Sequence, residues 1–148
     1  PESVKLMQRN WIGRSEGASV LALTYLGSVL SIPNYNIMGV AKAALEASMR
    51  YLSVDLGRKG IRVNCLSSGP VKTLASMGIG GFTKMLKAAV LRSPLKKNVT
   101  LEDVGNAGLY LLSDLSRGTT GEVIYCDCGC HSAYSSVEEM EMISKTIE

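Results

Sequence analysis

Short apolar runs alternate along the chain with longer stretches whose apolar residues recur every three or four positions. Ala18 to Thr24, Ala-Ser-Val-Leu-Ala-Leu-Thr, suits a strand buried on both faces. From Tyr35 to Leu56, Ile37, Val40, Ala41, Ala44, Leu45, Ser48, Tyr51, Leu52 and Leu56 fall at helical steps. They predict a helix of about six turns, closed by Gly57 and Gly60 with glycine's ease at positive φ. Gly39, Ala41, Ala43, Ala44 and Ala47 thin its surface and allow close approach by another helix. Ile61 to Ser67 reads as a second strand, broken by Gly69-Pro70. Val71 to Leu91 mixes small residues with Phe82, Met85 and Leu86, and Gly78, Gly80 and Gly81 predict a mobile lid there rather than a helix throughout. Thr100 and Asp103 form a variant capping box opening a helix to about Leu115, and Gly121 to Asp127 is a third strand. Ser136 and Glu139 repeat the capping pattern before Val137, Met140, Ile143 and Ile147, a short amphipathic helix or a disordered tail. At the start, Val4 to Ile12 reads as a helix end with Trp11 as a packing anchor. Strand, helix, strand, helix, strand predicts a parallel α/β sheet.

With 148 residues and 46% hydrophobic content, the chain has enough apolar material for a real core. It has no apolar run able to span a bilayer and no charged-then-apolar leader, so the expectation is a cytoplasmic protein without a membrane partner. A net charge of +3 is too mild to imply nucleic acid. Its distribution says more, because no acidic residue lies between Leu56 and Leu101, whereas Arg58, Lys59, Arg62, Lys72, Lys84, Lys87, Arg92, Lys96 and Lys97 do. Such a stretch is a solvated basic face or a surface that steers an acidic partner. No glycine-rich turn between a strand and a helix precedes Tyr35, and Gly78, Gly80 and Gly81 do not fit the dinucleotide fingerprint.

The chemistry begins with Tyr35 and Lys42. Seven helical residues are almost two turns, so both side chains leave one face about 10 Å apart along the axis. A phenol can hydrogen-bond an oxygen that becomes negative during reaction, while an ammonium holds hydroxyl groups further along the same ligand. Alone, the pair is equally well an aromatic at a helix start and a surface lysine. Tyr25 stands just past the first strand, where ligands bind in open parallel sheets.

Four segments in order, Thr24-Tyr25-Leu26-Gly27, Pro33 to Lys42, Ser68-Gly69-Pro70-Val71-Lys72-Thr73-Leu74-Ala75 and Thr100 to Gly105, decide between these readings. From about Ala18 to about Asp127 the chain resembles the enoyl-[acyl-carrier-protein] reductases of bacterial type II fatty acid synthesis, in the short-chain dehydrogenase/reductase superfamily. Commoner members carry Tyr-x3-Lys, and no tyrosine here has a lysine four residues later. The resemblance implies the C-terminal half of a Rossmann-like doubly wound parallel sheet, with residues 1–131 as the catalytic part and 132–148 as an extension. A missing first half would hold the phosphate-binding turn and leave an exposed sheet edge. It also implies hydride transfer from NADH to an enoyl thioester on acyl carrier protein, with NADPH left open, and a homo-oligomer, a tetramer, assembled through the Tyr35–Leu56 helix. By the same resemblance Tyr35 meets the enolate oxygen, Lys42 the nicotinamide ribose and Tyr25 the substrate. Gly69, Pro70, Val71 and Thr73 contact the cofactor, and Met38, Ala75, Phe82 and Met85 line the acyl pocket.

Two departures stand out. Thr24 replaces the serine of many relatives, keeping the hydroxyl and adding a methyl. Cys126-Asp127-Cys128-Gly129-Cys130-His131 replaces a plainer strand end. Three thiols and an imidazole invite a zinc reading, yet Cys-x-Cys puts alternate side chains on one side of a strand and is not the usual two-residue knuckle, so no metal is expected. With Cys65, these thiols suit a reducing compartment better than a disulfide framework. Hydrolase and nucleotide-triphosphatase motifs are missing, and the Asn98-Val99-Thr100 sequon is incidental. A different short-chain reductase and an inactive oligomerising fragment are the competing readings.

Overall fold

The apolar run that forms β2, Arg62–Ser68, is buried at every residue from Val63 to Ser67, as a strand with neighbours on both edges must be. The sheet has the order β1-β2-β3, with β1 at Ser19–Thr24 and β3 at Val123–Cys126. β1 runs parallel to β2, Ser19 opposite Arg62 through Thr24 opposite Ser67. Bonds on the other edge advance in step, Cys65 N to Glu122 O at 2.8 Å and Gly69 N to Cys126 O at 3.0 Å, so β3 is parallel too. This computed structural model describes residues 2–3, 5, 17–33, 35–78 and 80–147. Trp11 lies outside the described residues, as does all of Val4 to Ile12 except Lys5.

The chain divides into two compact units, residues 1–67 with 105–124 and residues 68–104 with 125–148. In the first, Met49, Ile61, Val63 and Cys65 form the core, flanked by Ala18, Val20, Ala22, Leu56 and Val123. Each large apolar side chain so buried contributes about 1.5–3 kcal/mol. Helix α1, Asn36–Gly57, supplies Met49 and Leu56. Most of its apolar stripe faces away from this core, Leu56 excepted. Ile37, Val40, Tyr51 and Val54 are 86, 73, 78 and 71% exposed, whereas Glu46 and Met49 are buried. Gly60, at φ +70°, makes the turn after the helix, while Gly57 is still helical.

Helix α4, Leu101–Leu112, stops short of Leu115 and gives way to a 3-10 turn at Asp114–Ser116. The cause is Arg62, whose guanidinium donates to Leu111 O, Ser113 O, Ser116 Oγ and Thr119 O at 3.0, 2.9, 2.8 and 3.3 Å. It collects carbonyls left over at the helix end, and so leaves the basic face the sequence assigned it to. Asn64, fully buried on β2, is satisfied through Thr119 O and Glu122 N.

In the second unit the glycine-containing stretch is a short helix α2, Leu74–Met77, and a longer α3, Phe82–Arg92, with Gly81 at φ +79° as N-cap. Thr100 and Asp103 make the reciprocal bonds of a capping box at 2.9 and 3.1 Å. Ser136 and Glu139 do the same at 2.9 and 3.0 Å, opening α5, Val137–Ile147. Helix α5 packs on α3, and Lys96 Nζ meets Glu138 Oε2 at 2.6 Å. Among the described residues no helix is long and apolar enough to cross a membrane.

Candidate active site

β1 delivers Tyr25 at its C-terminal end, one residue before a 3-10 turn at Leu26–Ser28. The ring folds back over Gly27: a Cβ there would lie 2.2 Å from Tyr25 Cζ. Gly39, in the first turns of α1, lets that turn approach, because its Cβ would fall 2.7 Å from Gly27 O. These two glycines shape the corner that holds Tyr25, and the sequence reading assigned them no such role.

The Tyr25 hydroxyl is buried and has no hydrogen-bond partner among the described residues. Burial pushes its pKa above the usual phenol value, and the Tyr35 phenol adds to the rise. The rings of Tyr25 and Tyr35 lie 6.1 Å apart, tilted by 56°. Tyr35 is half-buried and is the N-cap residue of α1, so it stands at the helix mouth rather than within the first turn. Lys42 Nζ donates to Leu23 O at 2.8 Å. Tyr35 thus meets Tyr25 just past β1, and Lys42 meets Leu23 within it.

Met38 is half-exposed on α1. Beside these groups a cleft of about 390 Å³ opens between residues 27–32 and α1, bordered by Tyr35, Asn36 and Gly39 but by neither Tyr25 nor Lys42. Below them the structure reveals a polar pair, Thr24 Oγ1 to Glu46 Oε1 at 2.6 Å, both residues 5% exposed. The visible signal for Glu46 was its position one helical turn beyond Lys42.

The remaining sequence candidates lie in the second unit. Gly69 is needed for packing within the protein, since a Cβ would stand 3.1 Å from Asp127 Cα and 3.2 Å from Val99 Cγ1. Pro70 and Val71 follow it outside any helix or strand, and Val71 O accepts from Ser76 Oγ at 3.1 Å. Thr73 precedes α2; its Oγ1 accepts from Ser76 N at 3.1 Å and still has a proton to donate. Phe82 is buried at the start of α3 and Met85 is half-buried. Ala75 lies in α2, its side chain outside those described. Asn98 Oδ1 is buried without a partner among the described residues.

The cysteine segment differs from the strand geometry its spacing suggested. β3 ends at Cys126, and Cys128 takes φ +58°, so the thiols do not share a strand face. Asp127 organises the turn, its carboxylate accepting from Gly129 N and His131 N at 3.0 and 2.9 Å and lying 2.9 Å from His131 Nδ1. His131 stacks on Tyr125 at 4.1 Å. Burial pushes up the thiols of Cys126, Cys128 and Cys130. No His, Cys, Asp and Glu cluster among the described residues is arranged to hold a metal ion.

Parallel strands alternating with helices, and polar side chains gathered at a strand's C-terminal end, define a Rossmann-like α/β protein. The model of the family described as Enoyl-(Acyl carrier protein) reductase matches residues 3–131, and the chain belongs to that family. It is 59% identical over 118 residues to "Enoyl-[acyl-carrier-protein] reductase [NADH] 1" of Rhizobium meliloti (strain 1021), covering 80% of this chain and 43% of that protein. It is 54% identical over 117 residues to "Enoyl-[acyl-carrier-protein] reductase [NADPH] FabI" of Staphylococcus aureus (strain MRSA252), covering 79 and 46%. A crystal structure of the reductase from Anaplasma phagocytophilum in complex with NAD is similar at TM-score 0.76 and 57% identity, over 80% of this chain and 46% of that one. The chain spans less than half the length of these relatives.

Proposed function

We propose that this chain carries the hydride-transfer residues of an NADH-dependent enoyl-[acyl-carrier-protein] reductase, which saturates a trans-2-enoyl thioester during fatty acid elongation. The observation that supports it most is the Tyr25 hydroxyl, buried and without a partner among the described residues, beside Tyr35 at the end of the strand that Lys42 grips. A buried hydroxyl left unsatisfied costs about 1–3 kcal/mol, which a ligand oxygen at this corner would offset. NADH, when bound, supplies a hydride to the β-carbon of the enoyl thioester.

Negative charge then develops on the thioester oxygen, and Tyr35 donates a hydrogen bond to it. A donor aimed at developing charge lowers the barrier more than it strengthens ground-state binding. Tyr25, protonated throughout the working range, lines the substrate side, with Met38, Ala75, Phe82 and Met85 meeting the acyl chain. Lys42 holds the nicotinamide ribose hydroxyls; Gly69, Pro70, Val71 and Thr73 offer backbone groups and a hydroxyl to the cofactor. The Rhizobium relative, 59% identical, is named for NADH and the Staphylococcus relative, 54% identical, for NADPH, so the nucleotide is assigned by comparing NADH with NADPH on the native protein.

The same reading makes residues 1–131 the catalytic part and 132–148 an extension, in keeping with a family match that stops at residue 131. Exposed Lys84 and Lys87 on α3 suit an acidic carrier protein, and the outward row of α1 suits a homo-oligomer, a tetramer, in the cytoplasm. The test is NADH oxidation by the native protein containing this chain, offered crotonyl and acetoacetyl thioesters. Turnover of crotonyl alone is expected. Turnover of the ketoacyl substrate instead would assign a different short-chain reductase.

A further inference from the structure

Two side chains of α1, one helical turn apart, hold consecutive residues at the end of β1. Lys42 Nζ donates to the carbonyl of Leu23 at 2.8 Å, and Glu46 Oε1 accepts from the hydroxyl of Thr24 at 2.6 Å. The next residue in the chain is Tyr25. The second bond is unusual for its setting, because Thr24 and Glu46 are each only 5% exposed. A carboxylate in such a place gains little stability over an apolar residue of similar volume, since desolvation offsets most of the attraction. A directional bond from one strand residue to one helix residue does specify register, which apolar packing does more loosely. Cys65, fully buried on β2, locates the cluster: burial raises its thiol pKa most, Glu46 raises it further, and Lys42 and Arg50 lower it.

We infer that Glu46 and Thr24 are positioning residues, which lock the end of β1 to α1 so that the Leu23 carbonyl meets the Lys42 ammonium and Tyr25 keeps its place against Tyr35. The effect on NADH rests on the reductase reading above; the effect on Lys42 does not. Loss of the Thr24–Glu46 bond frees the strand end to shift, and Lys42 then loses its acceptor.

The experiment uses the native protein containing this chain with Thr24→Val, Thr24→Ser and Glu46→Leu, each also in a Lys42→Ala background. Three quantities are read: the Kd for NADH, kcat on a crotonyl thioester, and the acetylation rate of Lys42 by acetic anhydride, mapped by mass spectrometry. Thr24→Val is expected to weaken NADH by on the order of tenfold to a hundredfold, as misplacement of a binding group does. It also speeds Lys42 acetylation several-fold. Thr24→Ser restores both, and in the Lys42→Ala background Thr24→Val adds no further loss of NADH binding. Glu46→Leu, which removes the acceptor and leaves an apolar side chain, changes both quantities in the same direction as Thr24→Val and stands in for it should that variant fail to fold. Unchanged Lys42 acetylation, or an equal NADH loss with and without Lys42, would overturn the inference. If the unmodified protein neither binds NADH nor reduces the thioester, the reductase reading fails while the acetylation result still decides the positioning role.

Discussion

Replacing Gly39 by alanine sets two effects of opposite sign against each other. In a helix interior, glycine to alanine stabilises by about 0.8–1.0 kcal/mol. At Gly39 the new Cβ would stand 2.7 Å from the Gly27 carbonyl oxygen, inside the 3.0 Å that real Cβ atoms essentially never cross, and 3.8 Å from the Tyr25 hydroxyl. The obstacle is backbone, so the 3-10 turn must retreat by roughly half an ångström, and overpacking of that kind costs about 1–3 kcal/mol. The net expectation is a loss of about 0–2 kcal/mol. Gly105 provides the control, since it lies inside α4, is exposed, and would have nothing within 4 Å of an added Cβ. Gly105→Ala is expected to gain about 1 kcal/mol, raising the melting temperature by about 2–4 °C. Denaturant midpoints of both variants, with kcat on an enoyl thioester, read the difference. Gly39→Ala also lowers kcat about tenfold or more, because the displaced turn carries Tyr25 with it. If both alanines stabilise equally and leave kcat alone, the close approach of turn and helix is wrong.

Tyr35→Phe keeps the ring beside Tyr25 and removes only the donor, so kcat falls about 10²- to 10³-fold with NADH affinity nearly unchanged; Lys42→Ala chiefly weakens NADH, and the reverse pattern would exchange their roles. Glu138, paired with Lys96, has its pKa lowered to about 2, below the usual carboxylate value of 4.5. A depressed carboxylate stabilises above its ordinary value and stops doing so as pH falls through about 2, so carboxyl NMR should find Glu138 ionised at pH 4; titration near 4.5 would mean the pair does not form. Val40→Asp, at a position 73% exposed, leaves the melting temperature of the isolated fold within a degree or two. It dissociates any assembly built on α1, which size-exclusion chromatography reads. Cys65 is expected to resist alkylation until unfolding, because burial both hides the thiol and raises its pKa.

The order of elements was legible because each strand is a short apolar run and each helix repeats at three and four. The capping boxes at Thr100 and Ser136 were legible for a local reason: their bonds close within four residues. The orientation of α1 was not. Nothing in its apolar spacing shows that Glu46 turns inward, where Thr24, more than twenty residues earlier in sequence, offers it a hydroxyl. The end of α4 was missed for the same kind of reason, its terminal carbonyls being collected by Arg62 on a strand about fifty residues away. Tyr35 and Lys42 were readable only together with the neighbouring motifs, because their spacing alone fits a helix-start aromatic and a surface lysine equally well. Gly27 and Gly39 were not, because their importance lies in what approaches them.

Helix α1 is a single rod of 22 residues, about 33 Å long by its rise. One side presents Tyr35 and Lys42 to the end of β1, and the other presents Ile37, Val40, Tyr51 and Val54 to whatever lies outside. A rod this stiff cannot be tilted by its outer neighbour without moving its inner cargo. Any displacement of the outer row would therefore carry the phenol and the ammonium with it.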